Sequence, residues 1–254
     1  MLNYRISGDD LQTLIVELAA GEGVLAEAGA MVMMQDGVRM EAIFGGKPHQ
    51  SILGKLVSAG KRLIVGESLF MTLFINETTG PRQVHFAGPY PGKIMPIDLS
   101  EHGGEVICQK DAFLCASPDT EIDIAFQRRL RTGLFGGEGF ILERLTGRGT
   151  AFIHASGTII PHTLEPGEVI HIDTGCLVAF TPSVDYDVRF VRGIRNMLFG
   201  GEGLFLVRMA GPGRVWTQSL PFSRLAQRVL RYGAAGGKGE GSILGKLWDM
   251  TSGD

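Results

Sequence analysis

Three stretches decide the fold: GEGVLAEAGAMVMM (Gly21–Met34), GEVICQKDAFLCAS (Gly104–Ser117) and GEVIHIDTGCLVAF (Gly167–Phe180). Each opens on a Gly-Glu pair and continues into a mostly apolar run, and the three align without gaps. Leu18 and Leu164 precede their copies by three residues and Leu99 precedes its copy by five. A second kind of Gly-Glu turn follows in every copy. LFGGEGF (Leu134–Phe140) matches LFGGEGL (Leu198–Leu204) at an offset of 64 residues, and LIVGESL (Leu63–Leu69) is a weaker third copy. Recurrence at a fixed period marks duplication of one supersecondary unit. The chain of 254 residues is read as three tandem units, 1–90, 91–156 and 157–221, followed by a tail, 222–254.

Glycine is the outlying component, 37 of 254 residues, and the glycines lack the every-third spacing of collagen. Short runs rich in Val, Ile and Phe between Gly, Pro, Asp and Thr indicate antiparallel strands. Examples are Ile107–Cys115 and Leu204–Met209. In Tyr186–Val191 the alternation sets Tyr186, Val188 and Phe190 on one face and Asp187 and Arg189 on the other. The expected fold is therefore all-β, with three antiparallel sandwich or double-stranded β-helix-like units in a pseudo-threefold arrangement. The recurring glutamate reads as a solvated charge at each strand mouth. Two segments break the pattern. About a dozen residues, near 44–60, are inserted in the first unit. In the tail, Ser223 is an N-cap, Leu225, Ala226, Val229 and Leu230 form one helical face, and Gly233 can end the helix. SILGKL occurs both at Ser51 and at Ser242.

Charge excludes little: 24 basic against 27 acidic residues leaves a net charge of −3. Three cysteines (Cys108, Cys115, Cys176) without a C-x-x-C spacing argue against a disulfide framework and fit a reducing, cytoplasmic setting. No signal peptide and no 18-residue apolar span is visible.

The order of these motifs resembles a family of unknown function, the bacterial group related to the mitochondrial protein altered inheritance of mitochondria 24. The G-G-E-G turns, the GES turn of the first copy and the PGEVI run carry the resemblance over 1–221. It implies a fold similar to the trp RNA-binding attenuation protein, duplicated within one chain. For function it implies little: mitochondrial relatives are linked to inner-membrane organisation, and no catalytic residues are established to carry over.

Motifs that would carry catalysis are mostly incomplete in this chain. None of the Gly-Lys pairs is followed by the Ser or Thr of a phosphate loop. Gly66–Phe70 lacks the closing glycine of a nucleophile elbow, and Ser58–Lys61 lacks the companion motifs of an S-x-x-K enzyme. A metal site is the sharpest enzymatic alternative. His154, His162, His171 and Asp173 fall in neighbouring strands across units two and three, and a cupin-like enzyme could use them. Against it, Leu25 and Cys108 match His171 in the ungapped repeat, which points to packing. A basic pattern is the third option. Arg128, Arg129 and Arg131 precede one GGEG turn, Arg192 and Arg195 the next, and Lys55, Lys61 and Arg62 the first counterpart. Converging, they would make a collar for phosphate or carboxylate groups. Nucleic acid would also want interleaved aromatic residues, which are missing; an anionic membrane surface or acidic partner remains open. The expected function is a non-enzymatic scaffold or interaction protein that self-associates and needs no cofactor. Its contact candidates are those arginines and the apolar tail residues Leu244, Leu247 and Trp248, on a glycine-rich hinge.

Overall fold

The computed structural model describes residues 2–44, 70–128, 139–191 and 204–236. The inserted segment, Arg129, Arg131, Arg192, Arg195, Lys55, Lys61, Arg62 and the tail residues Leu244, Leu247 and Trp248 lie outside the described residues.

The Gly-Glu turns explain themselves first. Gly21, Gly104 and Gly167 all adopt left-handed backbone, with φ of 74°, 84° and 84°. Only glycine takes that conformation without a Cβ penalty. The following glutamate closes the turn rather than merely solvating it: Glu22 and Glu168 accept from the N–H of Ala19 (2.9 Å) and Glu165 (3.0 Å). Glu105 departs from this pattern and pairs with Arg144 at 3.1 Å.

Each apolar run after such a turn is two strands, not one. The stretch read as a single strand over Ile107–Cys115 divides into β9 (Glu105–Gln109) and β10 (Phe113–Ala116), split by a 3-10 turn at Lys110–Ala112. A 3-10 turn at Thr174–Cys176 likewise separates β15 (Val169–Asp173) from β16 (Leu177–Phe180), and an ordinary turn at Ala28 and Gly29 separates β3 (Gly23–Glu27) from β4 (Met31–Met34). Lys110 and Asp111 in unit two and Asp173 and Thr174 in unit three are polar at the break, whereas unit one turns on Ala28 and Gly29; in every unit the second half enters a different sheet.

The first unit adds β1 (Asn3–Ser7), β2 (Thr13–Leu18), β5 (Val38–Phe44), β6 (Phe70–Asn76) and β7 (Arg82–Ala87). The second adds β8 (Lys93–Asp98), β11 (Glu121–Arg128), β12 (Phe140–Thr146) and β13 (Thr150–Ala155). The third adds β14 (Ile159–Leu164), β17 (Asp185–Val191), β18 (Leu204–Ala210) and β19 (Gly213–Gln218). Four antiparallel sheets result, in the orders β1-β2-β7-β4, β5-β6-β3-β10-β13-β8, β11-β12-β9-β16-β19-β14 and β15-β18-β17. The fold is all-β, and both six-stranded sheets are shared between consecutive units.

The sheets stack in that order. Leu14, Val16 and Phe86 of the first pack on Leu114 and Phe152 of the second. The opposite face of the second, with Leu25 and Ile153, meets Cys108 and Trp216 of the third. Ile107 and Phe180, on the far face of the third, meet Ile172 and Val207 of the fourth. The two inner sheets are therefore apolar on both faces, which is why β10 and β16 are buried at all four positions. Among the described residues β4 and β15, the strands that a closed threefold ring would join, each end a sheet.

The helix α1 runs over Phe222–Gly236. It begins one residue before Ser223 and passes through Gly233, because Ala234 and Ala235 behind it favour helix.

Candidate functional site

His154 is the most enclosed of the sequence-proposed ligands. It lies on β13, 2% exposed. Gly88 and Gly92 pass so close to its ring that a Cβ on either would collide with it. Tyr90 lies against the imidazole, ring centroids 4.8 Å apart, and stacks on Phe222 at 5.2 Å. The Tyr90 hydroxyl donates to the Asp111 carbonyl at 3.1 Å. Loss of water pushes the His154 pKa down to about 4, while the Tyr90 main chain works weakly the other way. Its Nδ1 is buried without a hydrogen bond. The ring is neutral at pH 7 and packs as an aromatic block between units one and two and the start of α1.

The other proposed ligands are elsewhere. His162 sits on β14 of the third sheet, with its Nε2 3.0 Å from the Thr217 hydroxyl. His171 is exposed on β15 of the fourth sheet. Asp173 accepts from the Gly175 N–H (3.0 Å) and pairs with Arg224 of α1 at 2.7 Å. Three sheets thus hold the three histidines, and the arrangement expected in neighbouring strands is not formed. No group of three or more His, Cys, Asp or Glu among the described residues could hold a metal ion.

Strand pairing also corrects the repeat partner of His171. His171 faces Arg208 in the register that sets Ile107 opposite Arg144 and Leu25 opposite Leu73. Its counterpart in unit two is Ile107, not Cys108, and a slip of one residue changes the sheet face. Cys108 and Cys115 are fully buried, and desolvation pushes both thiols well above their usual range; Cys176 is pushed up to about 11.

One unusual group belongs to no sequence motif. Glu143 on β12 is 1% exposed, and one carboxylate oxygen has no hydrogen-bond partner. Desolvation, reinforced by Glu27 and Asp111 and opposed by Lys110, pushes its pKa up to about 8. The signal was present in FILERLT: alternation puts Glu143 on the face of Ile141 and Leu145, and Val207 holds its place in unit three.

The outward features are a cleft, two strand edges and a helix face. The cleft, about 410 Å³, is lined by Glu101, His102, Thr181, Pro182, Ser183, Gly213 and Arg214. Val32 (59% exposed) and Met33 (39%) lie on β4, and Val169 (40%) on β15. On α1, Val229, Leu230 and Tyr232 are exposed beside Arg228. No helix among the described residues is long and apolar enough to cross a membrane.

This chain is 30% identical over 219 residues to an uncharacterized protein of Streptococcus pyogenes serotype M6, covering 85% of each chain. It is also similar to the X-ray crystal structure of a Streptococcus pyogenes protein. There the TM-score is 0.70 and the identity 26%, covering 91% of this chain and all of that one. A family model described as Mitochondrial biogenesis AIM24 matches residues 4–220. With that match spanning both shared sheets and all three Gly-Glu turns, the chain belongs to the AIM24 family.

Proposed function

We propose that this protein is a non-enzymatic, cytoplasmic scaffold that works by self-association. One contrast carries the reading: the groups able to do chemistry are enclosed or dispersed, whereas apolar strand edges face outward. His154, Glu143, Cys108 and Cys115 are buried, and His162 and His171 stand in different sheets. Exposed Val32, Met33 and Val169 on sheet edges are instead features that soluble chains avoid unless something covers them. The test is sedimentation of the full chain, with metal analysis after incubation with zinc and iron. The expected outcome is a mass that is a multiple of 27.4 kDa with no stoichiometric metal. A metal retained one per chain overturns the non-enzymatic reading, and a strict monomer overturns self-association.

A second reading is attachment to an anionic lipid surface through α1. The helix exposes Val229, Leu230 and Tyr232 beside Arg228, the two-faced pattern of interfacial helices. Flotation with anionic liposomes should then weaken as salt rises.

A further inference from the structure

The two joints between units share a backbone frame but not its side chains. At the first joint β3 pairs with β10, and at the second β9 pairs with β16. After β10 the chain turns through Ser117, Pro118 and Asp119, and after β16 through Thr181, Pro182 and Ser183. The hydroxyl that opens each turn is fixed alike. Ser117 accepts from the Thr150 N–H at 3.0 Å, and Thr181 from the Arg214 N–H at 2.9 Å. Gly149 and Gly213 pass these turns so closely that a Cβ on either would collide with them.

Within that frame the side chains change together. Thr150, buried at the first joint, gives way to exposed Arg214 at the second, and Asp119 gives way to Ser183. The turn before β3 carries only Ala19 and Ala20, whereas the 3-10 turn Leu99–His102 before β9 brings Glu101 and His102. The four new side chains line the cleft of about 410 Å³. Arg214 makes no ion pair among the described residues, and a free guanidinium is a planar fork that fits phosphate oxygens. Ser183 stands beside it, its hydroxyl 3.2 Å from that of Thr181. His102 lies edge-on to Trp216, ring centroids 5.5 Å apart. Burial, and then the charge of Arg214, hold the imidazole below its usual range against the pull of Glu101 and Asp98. It is neutral at pH 7 and offers one N–H.

From this departure within the repeat we infer that the cleft at the second joint binds a small phosphomonoester of a sugar or other polyol. Arg214 takes the phosphate, with the Ser183 hydroxyl and the His102 N–H as further donors, three groups for three terminal oxygens. Glu101 is the one carboxylate on the wall. It accepts from a hydroxyl of the polyol, which a bare phosphate cannot supply. The cleft volume suits a ligand of that size. No bond is made or broken there, so the site stands beside the scaffold reading and does not depend on it.

Trp216 reports on the cleft because His102 lies against it, and W248F removes the only other tryptophan. The probes are ribose 5-phosphate, inorganic phosphate and ribose, added to the full chain at constant ionic strength. Ribose 5-phosphate is expected to change the Trp216 fluorescence saturably, inorganic phosphate to bind more weakly, and ribose to have no effect. The exchange S183D/R214T installs the residues that the first joint carries in the same frame, and R214Q changes one exposed side chain. Each should weaken binding by about tenfold or more, the loss of a charge-assisted contact. Thermal unfolding by circular dichroism verifies that they fold. A wild type without saturable response through the millimolar range overturns the site, as does a folded R214Q that binds like the wild type. Equal affinity for inorganic phosphate overturns the polyol assignment and leaves an oxyanion site.

Discussion

Met33 faces His85 across β4 and β7, in the register that sets Cys115 opposite Phe152 and Ala179 opposite Trp216. In the two inner sheets that pair is packed under the preceding layer: Cys115 and Phe152 under the first sheet, Ala179 and Trp216 under the second. At the end of the stack the same place carries a half-buried histidine and an exposed methionine.

This asymmetry has an energetic consequence. Phe152→Ala, which empties a fully buried site, should cost about 3–5 kcal/mol. His85→Ala, at the half-buried counterpart in the first sheet, should change stability by under about 0.5 kcal/mol. Urea unfolding of both variants measures the difference.

Glu143 makes stability fall as pH rises. A carboxyl whose pKa is about 8 when folded and near 4.5 when unfolded binds more protons in the folded chain between those values. Stability is thus fully present below pH 4.5 and is lost progressively toward pH 8. Glu143→Gln should remove a decline of about 2 kcal/mol between pH 6.5 and 8. Denaturant midpoints at the two pH values check this.

His154 acts with the opposite sign. Its pKa is about 4 when folded against the ordinary 6.5, so the unfolded chain binds more protons between those values. Stability is present above pH 6.5 and is lost as pH falls toward 4. From pH 4.5 to 6.5 the two buried groups oppose each other and flatten the wild-type profile. His154→Leu should expose the Glu143 slope, so that stability declines with rising pH throughout that interval. Thermal melting across the range would contradict this if the variant profile stayed flat.

The turn glycines can be tested against a packing glycine. At Gly167 nothing lies within 4 Å of an added Cβ, so Gly167→Ala should cost only the left-handed backbone penalty, roughly 1–2 kcal/mol. At Gly92 a Cβ would meet the Ala155 carbonyl as well as His154, and Gly92→Ala should cost about 3 kcal/mol or more. Chemical denaturation ranks the two.

Recurring Gly-Glu turns marked three copies of a β unit from sequence alone, because a left-handed turn residue leaves a fixed letter, but the strand register puts Gly103, not Gly104, in the place of Gly167. The alternation of Tyr186 and Val188 against Asp187 was equally legible, since strand period and solvent contact are local. What the letters could not decide was where the halves of each apolar run go. Ile107 and Cys115 sit in one continuous run, yet the 3-10 turn sends them to different sheets, and that choice depends on partners far away in sequence. For the same reason the histidines looked like neighbours and Glu143 belonged to no motif: proximity and desolvation arise only once the layers stack. Met31–Met34 reads like any other buried strand, and only the tertiary structure reveals it as an edge, because burial is a property of the pair and not of the strand.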